Sequence, residues 1–541
     1  MELNGKIWLA KSDEKVFLEP KMANRHGFIA GASGTGKTIT LKVLAESFSQ
    51  LGVPVFLADI KGDLAGMCKA GVHSESMEKR INKLGIEDWR YRVFPTRFWD
   101  IYGEYGHPVR TTVSEMGPML LSRLMDLSDV QSDVLNLVFK IADDKGLLLI
   151  DIKDLKAMLR YVGENRAEFS AEYGNMSAQS LGAIQRSLIT LEDEGGAEFF
   201  GEPAIDIRDW MQRDEQGRGY INVLHSVKLV QNPTLYASFL LWMLSELFES
   251  LPEAGDLDKP KLVFFFDEAH MLFRDAPKVL LQEIEQTVKL IRSRGVGVYF
   301  VTQSPGDIPD SVLAQLSNRV QHALRAYTPA ELKAVRVAAQ AFRTNPAFRA
   351  EDAIMELGVG EALTSFLDEK GVPTMVQRTK IICPQSLMAA PEPMVRAKVL
   401  MHDGMEKYDD SVDNTSAYEV LSEEAVAAEA AKQAEAERKA QEKAAAEQEK
   451  QRLKEEEADR KRQQKLEDEA RKRRQKLEDE ARRRQQKRED EERRKAERQQ
   501  EKAAAEAKRK AERLQAKIET QLISAGGQIL KRGLMGVLKK R

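Results

Sequence analysis

The chain has 541 residues, of which 31% are charged and 7% aromatic. This length exceeds what one hydrophobic core normally organises, so more than one structural region is expected. The charges are unevenly divided: residues 451–541 carry 31 Lys and Arg against 19 Asp and Glu, whereas residues 1–450 carry 52 against 67. The two cysteines, Cys68 and Cys383, belong to no CxxC or Cys/His cluster, which argues against a zinc site and a disulfide framework.

The amino-terminal residues and the longest apolar run indicate in which cellular compartment the protein is expected. Residues 1–5 lack the basic and apolar blocks of a signal peptide. No uncharged apolar run approaches the roughly 20 residues that a membrane-spanning helix needs. The best candidate, residues 235–247, is too short and contains Glu246, so a buried core helix is predicted. The lack of a signal peptide, of a membrane-spanning run and of a disulfide framework together predict a cytoplasmic protein.

A glycine-rich segment follows the first predicted strand, residues 27–30, and precedes an apolar helical face. It fits the phosphate-binding pattern GxxxxGK[ST] at every demanded position. Backbone N–H groups of such a loop can surround a β-phosphate, the lysine can reach the β- and γ-phosphates, and the last hydroxyl can bind Mg²⁺. We therefore predict binding of ATP and Mg²⁺ by Gly31, Ala32, Ser33, Gly34, Thr35, Gly36, Lys37 and Thr38.

The strand predicted at residues 54–58 ends at Asp59, which is followed by Ile60, Lys61, Gly62 and Asp63. If this strand neighbours the first one, Asp59 lies beside the phosphate loop and can tune Mg²⁺ or couple the site to a subunit boundary. Asp, Lys and Gly are also ordinary turn residues, and a simple turn explains the segment equally well. Both interpretations stay open.

The stretch that follows is longer than a simple crossover connection. We predict that residues 65–219 form a largely helical insertion, which either covers the nucleotide site or contacts a substrate, or else only packs on the core. Its amphipathic helices are predicted at residues 119–125, 134–141, 155–162 and 181–191.

Further apolar runs without polar alternation predict buried strands. This pattern is typical of a parallel sheet that is covered by helices on both faces, so the predicted fold class is α/β. The runs are residues 220–224, 262–266, 296–301 and 320–326.

The strand at residues 262–266 ends in two carboxylates, at the sheet edge where a second nucleotide-site element is needed. We predict that Asp267 holds Mg²⁺ through water and that Glu268, facing the other way, polarises the attacking water as general base. Past the next strand, Gln303 is predicted to position water and to report loss of the γ-phosphate. The alternative for Gln303 is a solvated residue at a strand end.

Phosphoryl transfer develops charge that an arginine usually stabilises, often one from a neighbouring subunit. The candidates are Arg292, Arg294, Arg319 and Arg325, and each could equally be a surface or structural arginine. Among them we favour Arg294 and Arg319.

The phosphate loop, the acidic strand end and several other segments form a recognisable set. These others are residues 58–64, 292–298, 301–305, 316–321 and 357–363. The set resembles the HerA/FtsK group of motor ATPases and, more narrowly, the YjgR-type, HerA-like helicase C-terminal family, over roughly residues 1–390.

This resemblance implies a RecA-like P-loop NTPase core, assembled as a homo-oligomer, a hexameric ring with ATP sites at subunit boundaries. Relatives in the wider group pump double-stranded DNA, so the resemblance also implies a nucleic-acid partner. One departure is that too little sequence precedes Gly31 for the amino-terminal β-barrel of archaeal HerA proteins. Action on DNA is therefore an expectation by analogy of fold.

From about Leu421 onward, aromatic residues and prolines vanish and Ala, Glu, Lys, Arg and Gln dominate. An eleven-residue repeat, residues 465–470 returning as 476–481, keeps opposite charges four residues apart on a helix. Apolar residues are too sparse for a sustained seam, so a solvated single helix is preferred to a coiled coil.

The predicted organisation is therefore an ATPase domain at residues 1–410, a linker at 411–423, a charged helix at 424–523 and a basic, apolar tail at 524–541. The tail can dock on an anionic membrane surface, a nucleic acid or another protein, or be disordered. Two functions follow: an ATP-hydrolysing motor acting on DNA, or a nucleotide-gated scaffold whose charged arm tethers a partner.

Overall fold

A single 13-stranded sheet forms the centre of the molecule, in the order β1-β2-β13-β12-β11-β4-β10-β9-β5-β8-β6-β7, with β3 paired to β2. The computed structural model describes residues 1–273, 278–463 and 471–525. The strands are β1 Glu2–Leu3, β2 Lys6–Lys11, β3 Lys15–Leu18, β4 Gly27–Ala30, β5 Val55–Asp59, β6 Thr96–Asp100, β7 His107–Pro108, β8 Ile221–His225, β9 Leu262–Phe266, β10 Val296–Thr302, β11 Asn318–Gln321, β12 Glu361–Ser365 and β13 Gln377–Ile381.

Helices cover both faces of this sheet and continue beyond it. They are α1 Lys37–Gln50, α2 Glu75–Leu84, α3 Val113–Leu124, α4 Asp129–Lys145, α5 Ile152–Glu164, α6 Arg166–Tyr173, α7 Ala178–Leu191, α8 Ala197–Phe199, α9 Pro233–Ser250, α10 His270–Phe273, α11 Lys278–Ile291, α12 Asp310–Leu313, α13 Pro329–Gln340, α14 Ala350–Glu356, α15 Pro393–Leu400, α16 Ala417–Gln463 and α17 Arg471–Ala525.

Strands β4 to β11 pair in parallel, and the remaining strands extend the sheet beyond β11 in antiparallel pairs. Side chains alternate between two buried layers: Phe264 and Phe266 face a core built with the helical insertion, whereas Phe265 faces the core containing α1. Burial on both faces explains why the strands are apolar throughout. The predicted α/β fold with a parallel central sheet is confirmed.

Gly27 shows how closely the central strands approach each other. It pairs with Tyr299 across β4 and β10. A Cβ atom at this position would lie 2.2 Å from the Tyr299 ring, a distance that no side chain permits. Glycine is therefore required where β4 enters the sheet.

The insertion differs from its prediction by adding strands to the sheet. Its four predicted helices correspond to α3, α4, α5 and α7, but it also contributes β6, which pairs with β8, and β7, which pairs with β6 at the end of the parallel sheet. The strand predicted at residues 320–326 is also displaced, because β4, its parallel partner, ends at Ala30 opposite Gln321. Beyond Gln321, Ala323 and Leu324 pack in a small core with α13 and α14.

Residues 411–423, predicted as a linker, instead pack against the body. The Val412 amide donates to the Glu202 carbonyl at 3.0 Å, and Ser416 Oγ donates to Asp154 Oδ1 at 2.5 Å. Ala417 and Leu421 are buried in the core that contains the insertion. Helix α16 therefore begins at Ala417 rather than at 424, and its first turns are anchored to α5.

Residues 422–451 of α16 and nearly all of residues 478–509 of α17 are exposed, and both stretches are highly charged. Pairs of opposite charge at i,i+4 support the helix, as in Lys439–Glu435 at 2.8 Å and Arg493–Glu497 at 3.3 Å. The predicted tail at 524–541 lies almost entirely outside the described residues. Among the described helices, none combines the length and the apolar character that crossing a bilayer requires.

His107 fastens the segment before α16 to the insertion. Its Nδ1 lies 2.5 Å from Asp409 Oδ1 and its Nε2 lies 3.0 Å from Asp403 Oδ1. Burial opposes protonation of the ring, but the hydrogen bonds to Asp403 and Asp409 outweigh it and raise the pKa of His107 above its usual range. The charged imidazole therefore stabilises the folded state below the ordinary pKa of 6.5, and this contribution is lost as the pH rises through the raised pKa.

We predict that His107→Asn lowers the free energy of unfolding by about 1.5–3 kcal/mol at low pH, because charge-assisted hydrogen bonds are lost. The difference from wild type should shrink as the pH is raised, and denaturant unfolding across the pH range measures it. The exposed His402, changed to Asn, is the control and should have little effect at any pH. If the difference in the free energy of unfolding between His107→Asn and wild type stays constant with pH, a stabilising role for the protonated His107 ring is refuted.

Candidate active site

The glycine-rich loop, residues 31–36, connects the buried end of β4 to α1. Gly36 is the N-cap of α1, with φ 116°, and no side chain caps the helix. By contrast, Thr112 caps α3 by accepting a hydrogen bond from the Glu115 amide. The first N–H groups of α1 are therefore left without a side-chain acceptor, at the helix end where the dipole favours an anion.

Lys37 begins this helix and lies folded across the loop. Its Nζ donates to the carbonyl oxygens of Gly31 at 2.6 Å and Ala32 at 3.2 Å. Burial lowers the pKa of Lys37, and the charge of Glu268 opposes that shift. Lys37 therefore interacts electrostatically with the carboxylate of Glu268, which is distant in the sequence. Such an interaction is expected if the two residues belong to one site.

His322 lies beneath the loop. Its Nδ1 is 2.9 Å from the Glu361 carbonyl, which can only accept, so Nδ1 donates and Nε2 accepts from the Thr40 hydroxyl at 2.8 Å. A Cβ atom on Gly31 would lie 2.5 Å from the Cβ of His322. Burial lowers the pKa of His322 to about 4, so the ring is neutral and joins α1 to the start of β12.

Asp267 and Glu268 follow β9 at the same edge. The register places Phe300 of β10 beside Phe266 of β9 and Thr302 beside Ala30 of β4, so the exits of the three strands adjoin. Asp267 is 3% exposed, and its Oδ2 has no hydrogen-bond partner among the described residues. Burial, and next the charge of Glu268, raises the pKa of Asp267 to about 7.

Glu268 is held in a left-handed backbone conformation, with φ 45°. Its Oε1 lies 2.5 Å from Lys61 Nζ, and its Oε2 accepts a hydrogen bond from Gln303 Nε2 at 3.3 Å. Burial alone would raise the pKa of Glu268, but the hydrogen bond and charge of Lys61 lower it below its usual range. Glu268 is therefore an ionised carboxylate with both oxygens directed to polar partners.

Gln303 is exposed at the end of β10, and the turn that follows is ordered by Asp307. Asp307 Oδ2 accepts from the Thr302 hydroxyl at 2.7 Å and from the Ser304 amide at 2.9 Å. The Asp307 carboxylate thus holds the residues on both sides of Gln303. In this position the side-chain amide of Gln303 reaches Glu268.

Asp59 forms a turn in this structure. Its Oδ1 accepts from the Gly62 amide at 2.7 Å, and its Oδ2 accepts from the amides of Leu64 and Ala65 at 3.1 and 3.2 Å. Burial, and next the charge of Asp63, raises the pKa of Asp59 to about 6. The expectation that β5 neighbours β4 is wrong, because β10 and β9 lie between them. The contacts of Asp59 fit the turn interpretation, and this turn presents Lys61 to Glu268.

The structure gives three of the candidate arginines partners outside the loop and the acidic pair. Arg294 precedes β10, at the opposite end of the parallel strands from the loop, and its guanidinium lies 4.5 Å from the Phe248 ring. Arg319 donates to the carbonyls of Leu313, Leu316 and Ala341. Arg325 is likewise bonded to carbonyls of residues 355 and 357. A role for Arg294 or Arg319 at a nucleotide therefore requires a neighbouring subunit and stays a prediction.

Residues 5–476 match the family described as Helicase HerA-like C-terminal. The chain belongs to this family. The resemblance that the motifs indicate is thereby confirmed.

Two curated relatives are 21% identical to this HerA-like chain. A probable helicase of Methanocaldococcus jannaschii aligns over 66% of this chain and 63% of its own length, and the DNA double-strand break repair helicase HerA of Sulfolobus acidocaldarius aligns over 66% and 65%. The chain thus spans less than two thirds of either relative. Among solved structures, the unbound bacterial conjugative coupling protein TrwBdeltaN70 has a TM-score of 0.46 at 14% identity, covering 72% of this chain and 93% of that one.

Three residues of this HerA-like site are not predicted as site residues from the sequence: Lys61, Asp307 and His322. Lys61 stands in a segment whose composition fits an ordinary turn, and Asp307 follows a proline in a loop. His322 stands in the run of residues 320–326, which also contains Gln321 and Arg325, so its polarity alone does not mark it as a site residue.

We predict that His322→Gln lowers the free energy of unfolding by about 1–3 kcal/mol near pH 8, because one shorter amide cannot satisfy both Thr40 and the Glu361 carbonyl. Since the folded-state pKa of about 4 lies below the ordinary value of 6.5, the neutral ring stabilises the fold above pH 6.5 and this contribution is lost as the pH falls toward 4. The difference from wild type, measured by denaturant unfolding, should therefore narrow on acidification. A difference that widens there would contradict this account; the exposed His73, changed to Gln, is the control.

Proposed function

We propose that this HerA-like protein binds ATP and hydrolyses it with Mg²⁺. The observation that carries the proposal is the meeting of two elements at one sheet edge: the uncapped start of α1 with Lys37, and the carboxylates of Asp267 and Glu268. These are the parts that phosphoryl transfer requires, namely an anion cradle with a cation, and acidic groups for metal and water.

The residues present suit a magnesium ion. Asp267 has a buried oxygen without a hydrogen-bond partner among the described residues, and burial, followed by the charge of Glu268, raises its pKa to about 7. Mg²⁺ in such sites takes few protein ligands and keeps water and phosphate oxygens as the others. We propose that the Thr38 hydroxyl binds the ion directly and Asp267 through water. When bound, the ion would neutralise charge on the phosphates.

The remaining groups have assigned tasks in this proposal. The loop amides and Lys37 bind and orient the phosphates, and Glu268 accepts a proton from the attacking water at its carboxylate. Gln303 holds the same water and reports the loss of the γ-phosphate from its place at the end of β10. Arg294 and Arg319 are proposed as candidates to act across a subunit boundary.

The work coupled to hydrolysis is proposed from the relatives. One is named a probable helicase and the other a DNA double-strand break repair helicase, so we propose a cytoplasmic motor that moves DNA as a homo-oligomer, a hexamer by resemblance. The second candidate is a nucleotide-gated scaffold. It is favoured by the anchoring of the start of α16 on α5, which attaches the charged helix to the body, and by the acidic body, which is an unusual surface for DNA.

We predict that Glu268→Gln retains ATP binding but lowers the rate of hydrolysis about a hundred- to ten-thousandfold, as expected for loss of a general base. Lys37→Ala should lose binding itself, because the phosphate cation is removed. Fluorescent-nucleotide binding and phosphate release measure the two effects. Glu392→Gln, which removes an exposed carboxylate, is the matched control. Hydrolysis by Glu268→Gln at the wild-type rate would exclude Glu268 as the base.

If the motor proposal is right, duplex DNA should raise the ATP turnover of the wild-type protein, because translocation couples the movement of DNA to ATP hydrolysis. Turnover with and without DNA, together with the molecular mass with and without ATP, checks this. If DNA leaves the ATP turnover unchanged while ATP changes the molecular mass of the assembly, the scaffold proposal is favoured instead.

A further inference from the structure

Lys61 holds the carboxylate that we propose as general base. The distance between Lys61 Nζ and Glu268 Oε1 is 2.5 Å. The two side chains differ in exposure, since 49% of Lys61 but only 6% of Glu268 is accessible. The carboxylate is therefore enclosed in the site, while the ammonium reaches it from the open side.

This pair is unfavourable for proton abstraction. A charge-assisted hydrogen bond stabilises the ionised carboxylate and so weakens its affinity for a proton. One oxygen of Glu268 is occupied by Lys61, and the other accepts from Gln303 and lies 3.3 Å from His270 Nδ1. Glu268 can accept a proton from water readily only after the ammonium leaves Oε1.

The surroundings of Lys61 indicate where the ammonium can go. Its backbone belongs to the turn that Asp59 fixes through three amides, so the side chain moves while the main chain stays. Its charge also helps to lower the pKa of Lys37 in the phosphate loop, so the two ammonium groups are within electrostatic range of each other. Two like charges within such range are stabilised by an anion between them.

We propose that Lys61 is a second phosphate-binding lysine, which pairs with Glu268 before nucleotide binds and turns to the terminal phosphate of a bound triphosphate. This inference rests on the proposed ATPase function and adds a regulatory step to it. ADP lacks the γ-phosphate and leaves Lys61 on Glu268. The site thereby distinguishes ATP from ADP and frees its base only when a hydrolysable bond is present.

A purely structural ion pair makes a different prediction. If Lys61 only stabilises the turn or orients Glu268, its removal affects ATP and ADP alike. The ratio of the two affinities separates these cases, and it is insensitive to the fraction of folded protein because both nucleotides are measured on one preparation.

The test uses the full chain with Lys61→Met, which keeps the length of the side chain but removes its charge. Affinities for a non-hydrolysable ATP analogue and for ADP, each with Mg²⁺, are measured by calorimetry. We expect the affinity for the analogue to fall roughly ten- to a hundredfold and that for ADP to change less than about twofold, since one charge-assisted contact is lost only with the triphosphate. Lys61→Arg should restore most of the discrimination.

Lys69→Met is the control, because Lys69 also pairs with a glutamate, Glu392, but on the surface. It should leave both affinities unchanged. Equal losses for the two nucleotides with Lys61→Met, or no loss for either, would overturn the inference. If Lys37→Ala nonetheless abolishes binding, the proposed function survives and only the role of Lys61 fails, whereas a wild-type protein that binds neither nucleotide overturns both.

Discussion

The burial of the parallel strands on both faces is the constraint on which the rest of the structure depends. β9 is apolar at all five positions because helices cover its two sides, so its first polar residues, Asp267 and Glu268, can only follow its end. The same holds for β4, β5 and β10, whose ends lead into the glycine loop, Asp59 and Gln303. A parallel arrangement brings these ends to one edge, and the chemistry is concentrated there.

The groups at this edge are arranged so that unlike charges compensate each other. Lys61 compensates Glu268, whereas Asp267 keeps a buried oxygen without a partner in the part of the chain that the structure describes. Glu268 also adopts a positive φ, a conformation that non-glycine residues rarely take and that tends to occur at functional sites. A positive φ at Glu268, a buried carboxylate oxygen of Asp267 without a partner among the described residues, and a helix start without a side-chain cap thus occur together at this edge.

Much of this was accessible from the sequence. The phosphate loop, the acidic pair and the strand order along the chain carry local signals, namely glycines at fixed spacing and apolar runs that end in polar residues. What the sequence does not reveal are contacts between distant segments. Lys61 lies 207 positions from Glu268, and His322 lies 282 positions from Thr40. The anchoring of residues 411–423 is hidden from the sequence for the same reason. Their composition resembles that of a linker, whereas their partners lie in α5 and in the segment before β8.

The central claim is that the loop of Gly31 to Thr38 and the pair Asp267–Glu268 hold one magnesium triphosphate between them. The most direct measurement is a structure determined with Mg²⁺ and a non-hydrolysable ATP analogue. The account predicts the β-phosphate at the start of α1, the metal beside Thr38 and Asp267, and the γ-phosphate facing Glu268. A nucleotide bound elsewhere, or one whose phosphates lie far from Asp267 and Glu268, would contradict it.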